Sequence, residues 1–143
     1  MVHIYTDGSC LKNPGGPGGY AFCIVDGTMN VCVSGGVSPR SSETEPHVTN
    51  IRMEILAVLT ALKMLKSCQY FTFHVDLQLV MYCGSGKWAR KANTDLWSEY
   101  DRLTKGKKID YVWVKGHNGD KFNTVVDALA YNEAIRIAEN MKK

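Results

Sequence analysis

The chain has no apolar run long enough to cross a bilayer as a helix, which excludes a helical membrane span. Its start, Met1-Val2-His3-Ile4-Tyr5-Thr6-Asp7, lacks a basic segment followed by an apolar one, so no secretory signal is expected. None of its five cysteines (Cys10, Cys23, Cys32, Cys68, Cys83) form a C-x-x-C pair. An odd count without that spacing predicts neither a disulfide framework nor a structural zinc site. Reduced thiols in a cytoplasmic protein are the expectation. Internal repeats, low-complexity tracts and long linkers are also lacking, so 143 residues read as a single domain, 1–143. Nothing suggests an obligate interface, and a monomer is expected.

A strong net charge is missing too, at +3 for the whole chain. The distribution is more telling than the sum. Between residues 87 and 108 stand Lys87, Arg90, Lys91, Arg102, Lys105, Lys107 and Lys108, against Asp95, Glu99 and Asp101. If carboxylates elsewhere gather into one pocket, the remaining surface is basic enough to meet a polyanion.

What is present is a β-rich first part and a helical remainder. Strands are predicted over Val2–Thr6, Tyr20–Val25 and Val31–Val37, the last two joined by a turn at Asp26-Gly27, as an antiparallel meander. Residues 38 to 47 read as a polar surface loop. Helical periodicity follows Thr49, a good N-cap, to about Ser67, with Ile51, Ile55, Val58, Leu59 and Leu62 on the apolar side. Phe71–Val75 is predicted to be a buried, central strand. A short helix from Leu77 is broken by Gly84-Ser85-Gly86, and another helix spans Asp95–Leu103. A strand at Ile109–Val114, a glycine-flanked loop at 115–120 and a last helix from about Asn123 complete the order β-β-β-α-β-α-α-β-α. That order predicts an α/β fold, a five-stranded mixed sheet flanked by helices.

Into this pattern are set four acidic residues where apolar ones would be ordinary: Asp7, Glu54, Asp76 and Asp127. Asp7 and Asp76 each end a predicted strand, Glu54 sits among core-facing helix positions, and Asp127 lies between Val126 and Ala128. Each has an ordinary explanation alone: a turn at Asp7-Gly8, a dipole-stabilising Glu54, an N-capping Asp76, a solvated Asp127. Together, in elements that such a sheet brings side by side, they predict one shared cation, because an uncompensated buried carboxylate is very costly. Oxygen-only ligation suits Mg²⁺ or Mn²⁺ rather than zinc. Paired ions of this kind suit phosphodiester hydrolysis, which points to a nuclease. His117, ten residues before Asp127 on the glycine-flanked loop, is placed to move protons beside such a site. His3, His47 and His74 lack that context and read as structural or surface residues.

These residues reach a known family: the chain resembles the type 1 ribonuclease H family. The resemblance is carried by Tyr5-Thr6-Asp7-Gly8-Ser9-Cys10 with Asn13-Pro14-Gly15, by Thr49-Asn50-Ile51-Arg52-Met53-Glu54, and by Val75-Asp76-Leu77-Gln78. It continues in Val114-Lys115-Gly116-His117-Asn118-Gly119 with Asn123 and Asp127. It implies a ribonuclease H-like fold and hydrolysis of the RNA strand of RNA–DNA hybrids with two Mg²⁺ ions, Mn²⁺ being a possible substitute. It also implies products with 5′-phosphate and 3′-hydroxyl ends. Asp7, Glu54, Asp76 and Asp127 match its metal-binding carboxylates and His117 its mobile histidine. Asn13, Asn50 and Gln78 match polar residues that contact the hybrid, in keeping with 2′-hydroxyls displayed in a wide minor groove. Cys10 and Arg52, from the same motifs, join that substrate-binding set.

Three positions depart from the family pattern. Ile51 stands where a second asparagine is common, and Leu77 where serine usually follows the aspartate. The basic, tryptophan-containing handle of many relatives shrinks to Gly84–Asn93, which keeps Trp88, Lys87, Arg90 and Lys91 for the DNA strand. With no room for a full extra helix, Trp88 is expected to pack as core and the three basic residues to grip phosphate weakly. No hybrid-binding domain is expected before Asp7. A non-catalytic hybrid-binding module would explain Leu77 and Ile51, and a DNA-directed or integrase-like nuclease would use the same carboxylates. The intact carboxylates with His117 disfavour the first, and the Asn13–Asn50–Gln78 set disfavours the second.

Overall fold

The computed structural model describes residues 1–114 and 120–143. Its strands are β1 (Val2–Cys10), β2 (Gly18–Asp26), β3 (Met29–Val37), β4 (Tyr70–Val75) and β5 (Lys108–Trp113). Its helices are α1 (Asn50–Met64), α2 (Gln78–Gly84), α3 (Thr94–Thr104) and α4 (Lys121–Met141). The sheet order is β3-β2-β1-β4-β5. β1, β2 and β3 pair antiparallel, whereas β4 joins β1, and β5 joins β4, in parallel. The expected mixed sheet of five strands is therefore present. Among the described residues no helix is long and apolar enough to cross a membrane.

Each face of the sheet is covered because its strands alternate. Ile4 and Phe22, with Phe71, Phe73 and Val75, meet Ile55, Val58, Leu59 and Leu62 of α1 and Trp97 and Tyr100 of α3. Full burial of one such side chain stabilises the fold by about 1.5–3 kcal/mol. Ala21 and Cys23 face the other way, against Val126 and Ala130 of α4. Local signals fix the helix starts: the Thr49 hydroxyl accepts from the Arg52 N–H, and the Asp120 carboxylate accepts from the N–H groups of Phe122 and Asn123.

Five expectations are corrected. β1 does not stop at Thr6 but runs on through Asp7-Gly8-Ser9 to Cys10, paired with β2 along its whole length. The Asp7-Gly8 pair is no turn, because Gly8 serves a close approach: a Cβ there would strike the Glu54 backbone N and the Met53 carbonyl carbon. The central strand is β1, with β4 between it and the edge strand β5. Trp88 is 47% exposed and lies against Tyr82 instead of entering the core. Finally, Cys23 and Cys32, register partners across β2 and β3, are joined as a disulfide, leaving Cys10, Cys68 and Cys83 free. Only the hairpin register brings that pair together.

Gly19 does for α4 what Gly8 does for α1, since a Cβ on it would strike the carbonyl of Ala130. Gly8→Ala and Gly19→Ala are each expected to destabilise the protein by about 1–3 kcal/mol in urea titrations, as overpacking does. A loss under about 0.5 kcal/mol, the range of neutral surface substitutions, would show that the helices are not seated this closely.

Candidate active site

The site lies where the C-terminal ends of β1 and β4 meet the start of α1. β1 and β4 pair in parallel with Tyr5 opposite His74, so two residues further on come Asp7 and Asp76 at the same edge of the sheet. α1 crosses this edge with Glu54 pointing down at Gly8. The Gly8 N–H donates to both Asp7 Oδ1 (2.8 Å) and Glu54 Oε1 (3.0 Å), so one backbone donor serves two carboxylates. Asp7 is 4% exposed and Glu54 5%. Ligand oxygens of Asp7, Glu54 and Asp76 all lie within 4.8 Å of one another. Asp127, one turn beyond Asn123 on α4, lines the same cleft of about 370 Å³ with Ser9, Asn50, Leu77 and Tyr131.

Electrostatics at this point are unfavourable for the protein alone. Burial pushes the Asp7 carboxyl up to about 7; Asp76 and Asp127 raise it further, while hydrogen bonds from Glu54 and the Gly8 N–H lower it. Glu54 is raised well above the ordinary carboxylate range, first by burial, then by its contact with Asp7 and the charge of Asp76. Glu54 Oε2 is buried with no hydrogen-bond partner among the described residues. An orphaned carboxylate oxygen beside two further carboxylates fits a hard divalent cation, which would supply the missing partner and neutralise the cluster. The all-oxygen donor set fits Mg²⁺ or Mn²⁺ and does not fit zinc.

The other predicted site residues divide. Asn50 lines the cleft, and its N–H donates to Asn13 Oδ1 at 3.1 Å, which anchors the 11–17 turn to α1. Gln78 opens α2, half-buried. Lys87 and Lys91 are exposed, Lys87 lying over the Tyr82 ring. Three further candidates hold partners within the protein. The Cys10 thiol is buried and donates to the Val48 carbonyl at 3.4 Å. Arg52 forks onto Asp95 (3.0 and 2.8 Å) and also donates to Asn93, bracing α1 against α3. Arg90 holds Asp101 (2.6 and 2.7 Å) and the Cys83 carbonyl while lying over the Trp97 and Tyr100 rings. His117 lies outside the described residues. Ile51 and Leu77 pack against the main core, which accounts for apolar side chains at those positions.

Sequence reasoning missed Ser9 and Tyr131 as cleft residues. Tyr131 follows Asp127 by four residues, the helical spacing that puts two side chains on one face, and that signal was present in the sequence.

Comparison with known proteins agrees with this geometry. The family model described as RNase H matches residues 1–135. A ribonuclease H of Polaromonas sp. is 41% identical, across 96% of this chain and 90% of its own. Among solved structures, the N-terminal RNase H domain of a Mycobacterium tuberculosis protein superposes with a TM-score of 0.81 at 23% identity, covering 98% of this chain and 97% of that one. LC11-RNase H1, solved in complex with an RNA/DNA hybrid, superposes with a TM-score of 0.78 at 18% identity, over 95% of this chain and 98% of its own. At these identities the two structures speak for the fold.

The raised carboxyls set a pH dependence. Asp7 holds its proton in the fold up to about pH 7, whereas the unfolded chain releases it near the ordinary 3.8. Metal-free stability is therefore expected to fall as pH rises from about 4 to about 7 and to level off above, by a few kcal/mol at most. Asp7→Asn should flatten that slope, raise the metal-free melting temperature at pH 7.5 and shrink the gain conferred by Mg²⁺. Calorimetry with and without EDTA checks this; a markedly lower metal-free melting temperature for Asp7→Asn would make Asp7 structural.

Proposed function

The chain belongs to the ribonuclease H family and is a ribonuclease H enzyme; from that premise we propose that it hydrolyses the RNA strand of RNA–DNA hybrids, leaving 5′-phosphate and 3′-hydroxyl ends. The observation that carries the reading is the buried Asp7–Glu54–Asp76 cluster with the unpartnered Glu54 Oε2. That LC11-RNase H1 has been captured with an RNA/DNA hybrid supports the choice of substrate.

Asp7, Glu54, Asp76 and Asp127 would hold two Mg²⁺ ions, with Mn²⁺ as a substitute. Bound there, such ions lower the pKa of an attacking water and stabilise charge on the leaving oxygen. The protein's own groups supply position. The Gly8 N–H fixes Asp7 and Glu54 against each other, so the donor oxygens are set before any ligand arrives. Asn50, held to Asn13, offers its side chain at the rim of the cleft, where a 2′-hydroxyl can be read, and Gln78 extends that surface. The His117 imidazole would carry a proton to or from the departing product.

The DNA strand gets little from this chain. With Arg90 committed to Asp101, the exposed cations of the short handle segment are Lys87 and Lys91, beside the exposed Trp88. The enzyme is read as a monomer of the cytoplasm, where the Cys23–Cys32 bond would face reducing thiols.

Labelled RNA–DNA hybrid, double-stranded RNA, single-stranded RNA and duplex DNA, each with Mg²⁺ or EDTA, test the proposal. Only the RNA of the hybrid should be cut, and only with the metal; cleavage of duplex DNA, or an intact hybrid with both Mg²⁺ and Mn²⁺, would overturn it. For the DNA-side surface, Lys87→Ala and Lys91→Ala should each weaken hybrid binding and reduce the salt slope by about one where a phosphate contact is lost. Arg90→Ala should chiefly lower the melting temperature. Equal salt slopes for wild type and both lysine variants would remove those residues from the interface.

A further inference from the structure

We infer that Trp113 is a positioning residue for Asp76: its indole N–H, reaching across from the end of β5, fixes the turn that presents the Asp76 carboxylate to the cluster. The inference rests on the functional reading above and concerns which residue keeps that site assembled.

Three of the cleft's carboxylates are held by regular structure: Asp7 within β1, Glu54 within α1 and Asp127 within α4. Asp76 is different. It follows the last residue of β4 and precedes α2, in a bend two residues long. α2 itself is short, seven residues, and its N-cap, Leu77, has no side-chain oxygen to bond the helix's first N–H groups.

The neighbouring strand supplies what the cap lacks. β5 pairs with β4 up to Val75 opposite Trp113, and the contact then continues beyond both strands. The Val114 N–H donates to the Val75 carbonyl at 2.7 Å, and Trp113 Nε1–H donates to the Asp76 carbonyl at 3.1 Å. Two successive carbonyls are thus tied to one edge. Pinning the Asp76 carbonyl fixes its peptide plane, and with it the direction of its Cα–Cβ bond. That direction matters because the oxygens of Asp7, Glu54 and Asp76 must converge within 4.8 Å. Trp113 is 38% exposed, on the outermost strand of the sheet, and directs its indole N–H at a residue of the site.

The test removes the N–H and keeps the ring. Trp113→Phe loses the donor with some of the shape; 3-benzothienylalanine at position 113 loses the donor while keeping the bicyclic outline. Each is titrated with Mg²⁺ alone by calorimetry, alongside metal-free melting and hybrid cleavage across a Mg²⁺ series. Both variants should bind Mg²⁺ about three- to tenfold more weakly, the worth of one hydrogen bond. Metal-free melting and KM for the hybrid should stay near wild type, and kcat should recover at high Mg²⁺. Wild-type Mg²⁺ affinity in the benzothienyl variant overturns the inference, whether or not Trp113→Phe is impaired, because the ring's packing then carries the effect. A wild-type protein that takes up neither Mg²⁺ nor Mn²⁺ overturns the functional reading itself, and the role of Trp113 with it.

Discussion

At the centre of the molecule one backbone N–H, that of Gly8, is shared by two buried carboxylates, and the fold on both sides is arranged so that it can be. Asp7 and Glu54 reach it from a strand and a helix that touch only because residue 8 has no side chain. Had α1 packed at an ordinary distance, Glu54 would be hydrated and would carry no unmet demand for a cation. Close packing withdraws water from both acids and raises both pKa values. A cation restores what desolvation removes. The metal-binding capacity of the site thus comes from a packing constraint, with the carboxylates as its instruments.

The sheet topology decides which acids can join this pair. β1 and β4 run parallel, so their C-terminal ends, and Asp7 with Asp76, share one edge, the place where open α/β sheets commonly bind ligands. β1 is also the central strand, covered by α1 on one face and α4 on the other. Glu54 can therefore descend from one layer and Asp127 approach from the other. Gly19 under α4 mirrors Gly8 under α1, so both layers owe their seating to a missing Cβ. The acids are distributed over three elements and the bend after β4, and each is only as well placed as the packing behind it.

Charge that might have faced a polyanion is spent inside the molecule. Arg52 braces α1 against α3, and Arg90 ties the segment after α2 to α3 through Asp101. Both pairs are partly buried; Arg52 forks through two nitrogens, whereas Arg90 gives one nitrogen to both oxygens of Asp101. These pairs give rigidity around the helix that supports the site.

The sequence by itself determined the family and the acids that make up the cluster. Four carboxylates in apolar surroundings and the order of strands and helices were legible, because hydrophobic periodicity exposes any acid that interrupts it. It also determined the Thr49 cap, a purely local matter. Tertiary structure decided everything that depends on distance between segments. β1 continues past Asp7, contrary to the turn suggested by Asp7-Gly8, because helix packing needs a glycine there as readily as a turn does. Cys10, Arg52 and Arg90 meet partners within the protein that the sequence did not point to, because a polar side chain's partner lies in space and leaves no mark beside it in the chain. Cys23 meets Cys32 through strand register, and Trp113 meets Asp76 across two strands 37 residues apart in sequence. Residue types carry chemical capacity one position at a time; which capacities are used is set by contacts that only the folded chain creates.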